Sequence, residues 1–169
     1  KKIQAIRHVF RPSVSYNINP SYEHFYDSYQ DPNAIDENIE YSRFEQSLYG
    51  APSKVRSSNV GISVSNTIEA KVRDNDTTAI KPKKIVLLNN LNFNTAYNVL
   101  GDSLNWNPIR FSGSVPIVKK LDFNFNGTLD PYALDNNNIR IDKFNINNGG
   151  SLFRLTNGNI SVNYSFSSS

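Results

Sequence analysis

The 169-residue sequence contains no cysteine and no methionine, and its only histidines are His8 and His24. The absence of cysteine excludes disulfide bonds, thiolate zinc sites and thiol nucleophiles. No glycine-rich phosphate loop or metal-ligand spacing accompanies the histidines, which we interpret as a strand-end residue and a surface residue, respectively. The sequence therefore predicts a protein that is not an enzyme and that has no cofactor.

Long hydrophobic runs are also missing. No segment approaches the roughly 18 to 20 apolar residues that a membrane-spanning helix needs, and no charged-then-apolar leader opens the sequence. The mean hydropathy of −0.50 does not exclude a membrane β-barrel, because barrel strands alternate lipid-facing and lumen-facing side chains. A net charge of +3, dispersed along the chain, is too weak for a nucleic-acid surface.

What the sequence does contain is alternation of apolar and polar residues. It is clearest over 60–73, about 14 residues, which is longer than a typical soluble strand and close to a tilted bilayer span. Since the chain starts at Lys1 and ends at Ser169, we expect one β-rich unit, 1–169, that is an internal segment of a longer protein. The alternation predicts about seven consecutive strands. They lie at 10–18, 60–73, 85–99, 109–117, 121–129, 139–153 and 160–166.

The predicted connections are long at 19–58, 101–105 and 130–138 and tight at 118–120 and 156–158. Outer-membrane barrels have this asymmetry, with long extracellular loops and short periplasmic turns, although 74–84 is an exception of about ten residues. We predict an all-β fold of antiparallel up-and-down strands that form part of a transmembrane outer-membrane β-barrel. Segment 19–58 would be a long extracellular loop in which 41–48 could form a short helix.

The alternation also predicts which side chains face the lumen and which face lipid. These are predictions of orientation, not of binding sites. The predicted lumen-facing residues are Ser63, Ser65, Asn92, Asn94, Ser112 and Ser114, and the predicted lipid-facing residues are Ile62, Val64, Phe93 and Phe111.

Charged residues offer two weaker candidates. The acidic residues of the long loop have oxygen ligands suited to divalent cations, but a solvated loop explains them better, and no metal site is predicted. They are Asp27, Asp31, Asp36, Glu37 and Glu40. Lys119, Lys120 and Arg154 lie near predicted periplasmic turns, where cations meet lipid phosphates or an acidic partner.

Five stretches carry a resemblance to a known family. They are RHVFRPSVSY at 7–16, YSRFEQSLYG at 41–50, DSLNWNPI at 102–109, GTLDPYALD at 127–135 and RLTN at 154–157. In this order and spacing they resemble the barrels of LptD, the lipopolysaccharide-assembly family, in the form found in Bacteroidota.

The resemblance implies a translocon in the outer membrane of a Gram-negative bacterium. It would receive lipopolysaccharide from a periplasmic bridge, hold a plug lipoprotein of the LptE type, and release its cargo into the outer leaflet. The remaining strands of the parent barrel and the outer-membrane lipid would surround this segment. Two alternatives stay open: another large envelope barrel (a protein-secretion translocon or TonB-type importer), and a soluble β-rich adhesin or carbohydrate-binding module.

Overall fold

The computed structural model describes residues 3–31, 38–73, 83–118 and 121–165. Six long strands dominate them: β1 (Ile3–Asn19), β4 (Ser57–Val72), β5 (Lys83–Asn98), β6 (Ile109–Val118), β7 (Leu121–Asp130) and β10 (Arg154–Tyr164). The short elements are β2 (Tyr26–Gln30), β3 (Asn38–Ser42), β8 (Tyr132–Leu134), β9 (Arg140–Phe144) and the 3-10 helices η1 (Glu23–Phe25) and η2 (Asn145–Asn148). No helix in these ranges is long and apolar enough to cross a membrane.

The six long strands form one sheet in the order β1-β4-β5-β6-β7-β10, and every neighbouring pair is antiparallel. Each long strand therefore pairs with the next long strand along the chain, which confirms the predicted up-and-down topology. The short strands form two separate pairs, β2 with β3 and β8 with β9. These pairs belong to the connections 20–56 and 131–153.

The connections divide the sheet into two ends. At what we call the loop end, the chain passes through 20–56, 99–108 and 131–153. At the opposite end, called the turn end, lie the first residues of β1, β5 and β7 and the last residues of β4, β6 and β10. The predicted connection 74–84 falls mostly outside the described residues, as do Lys119 and Lys120.

Little of this sheet is buried in the way a soluble core is buried. Within the described ranges, the buried hydrophobic residues are Ala70, Val72, Tyr132 and Ala133. A sheet normally packs its apolar face against a second layer. Here the large apolar side chains of the edge strands stay open instead: Val14 is 71% exposed and Ile160 is 69% exposed.

The strand predicted at 139–153 is confirmed over Arg140–Phe144 and is wrong after it. Strand β9 ends at Phe144 and pairs with β8, and η2 follows it. The Asn145 side chain donates a hydrogen bond to the Ser151 carbonyl, and Gly149 ends η2 with a φ of +81°. Local turn bonding by asparagine and a left-handed glycine therefore overcome the alternation in this segment.

The tight turn predicted at 156–158 is also wrong, because these residues lie inside β10. Asn157 is opposite Thr128 and Gly158 is opposite Gly127, with an irregularity in the register after Leu155. Pairing with β7 thus prevails over the turn preference of Asn and Gly, and the glycine accompanies a bulge.

The predicted short helix at 41–48 does not form. Tyr41 and Ser42 belong to β3, and successive turns follow, with Glu45 N bonded to Ser42 O and Ser47 N bonded to Phe44 O. The Ser42 hydroxyl also accepts the Phe44 N–H, a local bond that favours turns over helix.

Candidate functional site

The strand register sorts the side chains of the sheet onto two faces. Directly opposed residues of an antiparallel pair share a face. Ser65 is opposite Asn92, which is opposite Ser112, whereas Val64 is opposite Phe93. The polar face contains Ser63, Ser65, Asn92, Asn94, Ser112 and Ser114, and the apolar face contains Ile62, Val64, Phe93 and Phe111. Which face meets lipid stays a prediction.

Aromatic rings cross the middle of the apolar face. The ring centroids of Phe93 and Phe111 are 6.4 Å apart, as are those of Phe111 and Phe125. Gly127 makes room for this row, since a Cβ there would lie 2.6 Å from Phe111 Cζ and 2.7 Å from the Asn157 carbonyl oxygen. Rings lying over strand glycines are a recurrent way to fill a sheet surface.

The polar face carries a basic group of side chains at the turn end. Glu69 lies 2.7 Å from Lys84 Nζ and 4.0 Å from Arg7 Nη1. Lys71 is opposite Lys84 in the strand register, so this group contains three cations and one carboxylate. The excess positive charge gives this end the chemistry to meet anionic groups.

Four consecutive residues at the loop end, Asp130, Pro131, Tyr132 and Ala133, are buried. Together with Arg140, Phe144 and Arg154, which contact them, they form what we call the cap. Asp130 is 3% exposed; its Oδ2 lies 3.0 Å from Arg140 Nε and 3.2 Å from Arg154 Nη2. Its Oδ1 accepts the Tyr132 N–H at 3.0 Å.

The two arginines differ in their contacts with Asp130. Arg154 makes a hydrogen bond to Asp130 and another, from its Nε, to the Tyr132 carbonyl. Arg140 is close enough for an ion pair, yet its Nε and Nη2 are buried without a hydrogen-bond partner, so charge attraction is what Asp130 supplies to it. Arg154 therefore lies at the loop end, and its predicted place near a periplasmic turn is wrong.

Tyr132 joins the cap to the neighbouring connections. Its ring stacks on Phe144 with centroids 5.4 Å apart and lies 5.3 Å from the Arg140 guanidinium carbon. Its hydroxyl accepts the backbone N–H of Trp106 at 3.0 Å. Three of the five family-like stretches, 102–109, 127–135 and 154–157, thus converge in the cap. The sequence analysis did not predict this convergence, and the only signal for it in the sequence is the opposite charge of Asp130 and Arg154.

An open apolar groove of about 350 Å³ lies beside the cap. Thr95 and Ile109 contribute to it from the apolar face, since Thr95 is opposite Ile62 and Ile109 alternates with Phe111. The groove is lined by Thr95, Trp106, Asn107, Ile109, Pro131, Phe144, Ile146, Leu152 and Phe153. None of these side chains is charged.

Two acidic residues of the long loop form ion pairs within it. Asp27 binds Arg43 at 3.0 Å, and Glu40 binds Lys54. Among the described residues, no group of three or more acidic or histidine side chains could hold a metal ion. Asp36 and Glu37 lie outside the described residues.

The two histidines have ordinary surroundings. His8 lies inside β1 rather than at a strand end, so that interpretation is wrong, and its Nε2 donates to Asn66 Oδ1 at 3.0 Å. His24 is exposed and packs its ring 4.0 Å from that of Phe25.

A single antiparallel sheet of long strands, with one apolar and one polar face, is the construction of a membrane β-barrel wall. The protein family described as LptD protein matches residues 1–132, and the chain belongs to this family. Neither the curated proteins nor the solved structures gave a match.

Family membership defines the broad role and location. The sheet is part of a transmembrane outer-membrane β-barrel, and LptD proteins act in lipopolysaccharide transport and assembly in Gram-negative bacteria. They are transport and assembly proteins and are not known as enzymes. Membership favours this role over the secretion, import and adhesin alternatives.

Proposed function

We propose that the chain forms part of an outer-membrane translocon of the Bacteroidota LptD type that delivers lipopolysaccharide and inserts it into the outer leaflet. The apolar face contacts membrane lipid, the polar face lines a hydrated lumen, and the loop end lies outside the cell. The observation that carries this proposal is the open apolar face of the six-stranded sheet.

A hydrocarbon environment accounts for that face better than water does. Large contiguous apolar surfaces are rare on soluble monomers. The strands have 10 to 17 residues, enough for a tilted strand to span a bilayer, which takes about 9 to 11 residues. The polar face of Ser, Thr and Asn suits a water-filled interior.

The strand edges and the basic group indicate where partners attach. In lipid, the unpaired backbone groups of edge strands β1 and β10 need hydrogen-bond partners, so we assign the rest of the barrel to further strands of the parent protein. An LptE-type plug would occupy the lumen beside the polar face. The periplasmic bridge would deliver its cargo at the turn end, where Arg7, Lys71 and Lys84 suit lipopolysaccharide phosphates.

Two neighbouring substitutions test the orientation of the faces. Phe111 and Ser112 follow each other in β6 and lie on opposite faces. Arginine on a lipid face costs about 2–4 kcal/mol near the bilayer midplane, so Phe111→Arg should lower the yield of folded full-length barrel, measured by heat-modifiable gel mobility. Ser112→Arg should fold normally. The reverse ranking would refute the orientation.

The placement of the loop end is tested by thiol labelling in intact cells. Tyr49 is 94% exposed in the connection 20–56, and Arg7 belongs to the turn end. A membrane-impermeant maleimide should label Tyr49→Cys and should label Arg7→Cys only after the outer membrane is opened. Labelling of Arg7→Cys alone would place the loop end in the periplasm.

Transport itself is tested by depleting the full-length parent in its host and following newly made lipopolysaccharide. The lipid should accumulate before it reaches the surface, while other outer-membrane proteins still assemble. Unchanged surface lipopolysaccharide would refute the transport function and leave the orientation to be judged by the two preceding tests.

A further inference from the structure

The apolar groove beside the cap combines two features that the sheet alone does not have. It is concave, and it lies where the apolar face meets the connection 131–153. We propose that this groove binds an acyl chain of a lipopolysaccharide molecule in the outer leaflet. The inference rests on the proposed function, which places the loop end outside the cell and the apolar face in lipid.

The walls of the groove are held in place by bonds that do not involve a ligand. Asn145 N donates to the Pro131 carbonyl, and the Asn145 side chain donates to the Ser151 carbonyl. The Ser151 hydroxyl in turn donates to the Phe153 carbonyl at 2.6 Å. These bonds position Phe144, on its stack with Tyr132, across from the sheet. The groove is therefore preformed, which lowers the entropic cost of binding.

The chemistry of the lining selects a hydrocarbon. The lining has two polar side chains, Thr95 and Asn107, against seven apolar ones, and the Thr95 hydroxyl already donates to the Asn107 carbonyl at 2.7 Å. A peptide occupant would bring N–H and C=O groups that need partners when buried, whereas an acyl chain brings none. A volume of 350 Å³ is also within the range of about 300–1,000 Å³ that is common for small-ligand sites.

The position of the groove indicates which lipid supplies the acyl chain. Thr95 and Ile109 belong both to the groove and to the apolar face, so the groove is continuous with that face. An acyl chain in the surrounding membrane can therefore enter the groove laterally along apolar side chains. Because the groove lies at the loop end, the lipid in reach belongs to the outer leaflet, where the proposed function inserts lipopolysaccharide. The groove would thus retain a cargo molecule beside the wall of the barrel.

Photo-crosslinking in the full-length protein tests this in the native outer membrane. A photoreactive amino acid replaces Ile146 in the groove, and a matched probe replaces Ile160, which is exposed on the open part of the apolar face. Adducts are identified by mass and by saccharide-specific staining, in membranes and after purification in detergent. We expect a lipopolysaccharide adduct at Ile146 that survives purification and an adduct at Ile160 that forms only in membranes.

A filled groove provides the second arm. Leu152 is exposed at the groove, so Leu152→Trp adds volume there without repacking the cap. The control Val162→Trp adds a slightly larger volume on the open apolar face, away from the groove. Leu152→Trp should reduce the Ile146 adduct at least about tenfold, equivalent to about 1.4 kcal/mol of binding free energy. Val162→Trp should leave the adduct unchanged.

The contrary results separate the two proposals. Lipid adducts at Ile160 but not at Ile146, or an Ile146 adduct that is lost in detergent, would overturn the groove site alone. An adduct to phospholipid, to another protein or to a second copy of the chain would overturn the chosen occupant. The absence of any lipid adduct at both positions in membranes would overturn the lipid orientation of the face itself.

Discussion

Replacing Asp130 with asparagine should open the cap at the loop end. The substitution keeps an oxygen for the Tyr132 N–H but removes the negative charge that lies between Arg140 and Arg154. Leaving buried charge uncompensated costs about 3–5 kcal/mol. The two arginine side chains are 35% and 24% exposed, so water takes up part of their charge, and we expect the lower value of about 3 kcal/mol.

Hydrogen–deuterium exchange of the full-length protein measures this cost locally. A loss of about 3 kcal/mol should speed exchange through local opening about a hundredfold. The amides to follow are those of Tyr132 and Asn145, which are bonded within the cap. Asp27→Asn is the matched control, since Asp27 also pairs with an arginine, Arg43, but both side chains are about half exposed. An exposed pair contributes at most about 1 kcal/mol. If both variants changed exchange equally, the buried ion cluster would not be what holds the cap.

Two further substitutions test the packing of the sheet and the link to the cap. Gly127→Ala should destabilise the folded protein by about 1–3 kcal/mol, because the new methyl meets the Asn157 carbonyl, which cannot move without breaking the strand pairing. Gly61→Ala, where the methyl meets a movable serine hydroxyl, should cost far less, and equal thermal unfolding of the two variants would contradict this reasoning. Tyr132→Phe should cost about 1 kcal/mol and speed exchange at the Trp106 amide, which loses its acceptor. Unchanged exchange at that amide would show that the bond contributes nothing.

The cap and the open sheet illustrate two ways of stabilising one chain. In the sheet, backbone hydrogen bonds between strands and side-chain pairs on the same face hold the strands together, and the apolar face is left exposed. In the cap, the chain buries Asp130 and Tyr132 within itself and satisfies them with arginines and backbone groups. Such a locally folded connection can position a groove at the edge of the apolar face of the sheet, which is otherwise flat.

Several elements could be predicted because their signal is local. The alternation in β4 and the later part of β10 follows from the period of two of a strand, and it placed Ile62 and Ser63 on different faces. Consecutive strands with polar connections also imply a meander. The predictions were wrong where the turn preference of Asn and Gly competes with the alternation of apolar and polar residues. Asn145–Asn148 forms a 3-10 helix instead of a strand, and Gly158 lies inside β10 instead of in a turn.

By itself, the sequence determined the six long strands, their two faces and the family, because each depends on residue types at short, regular spacing. Only the tertiary structure decided that Asp130, Arg140 and Arg154 meet, and that Trp106 lies against Tyr132. Those contacts depend on the register of β7 against β10 and on the path of 131–153, which bring together residues that are 10 to 26 positions apart. A period of two contains no information at that distance, so the cap and its groove appear only when the strands are paired.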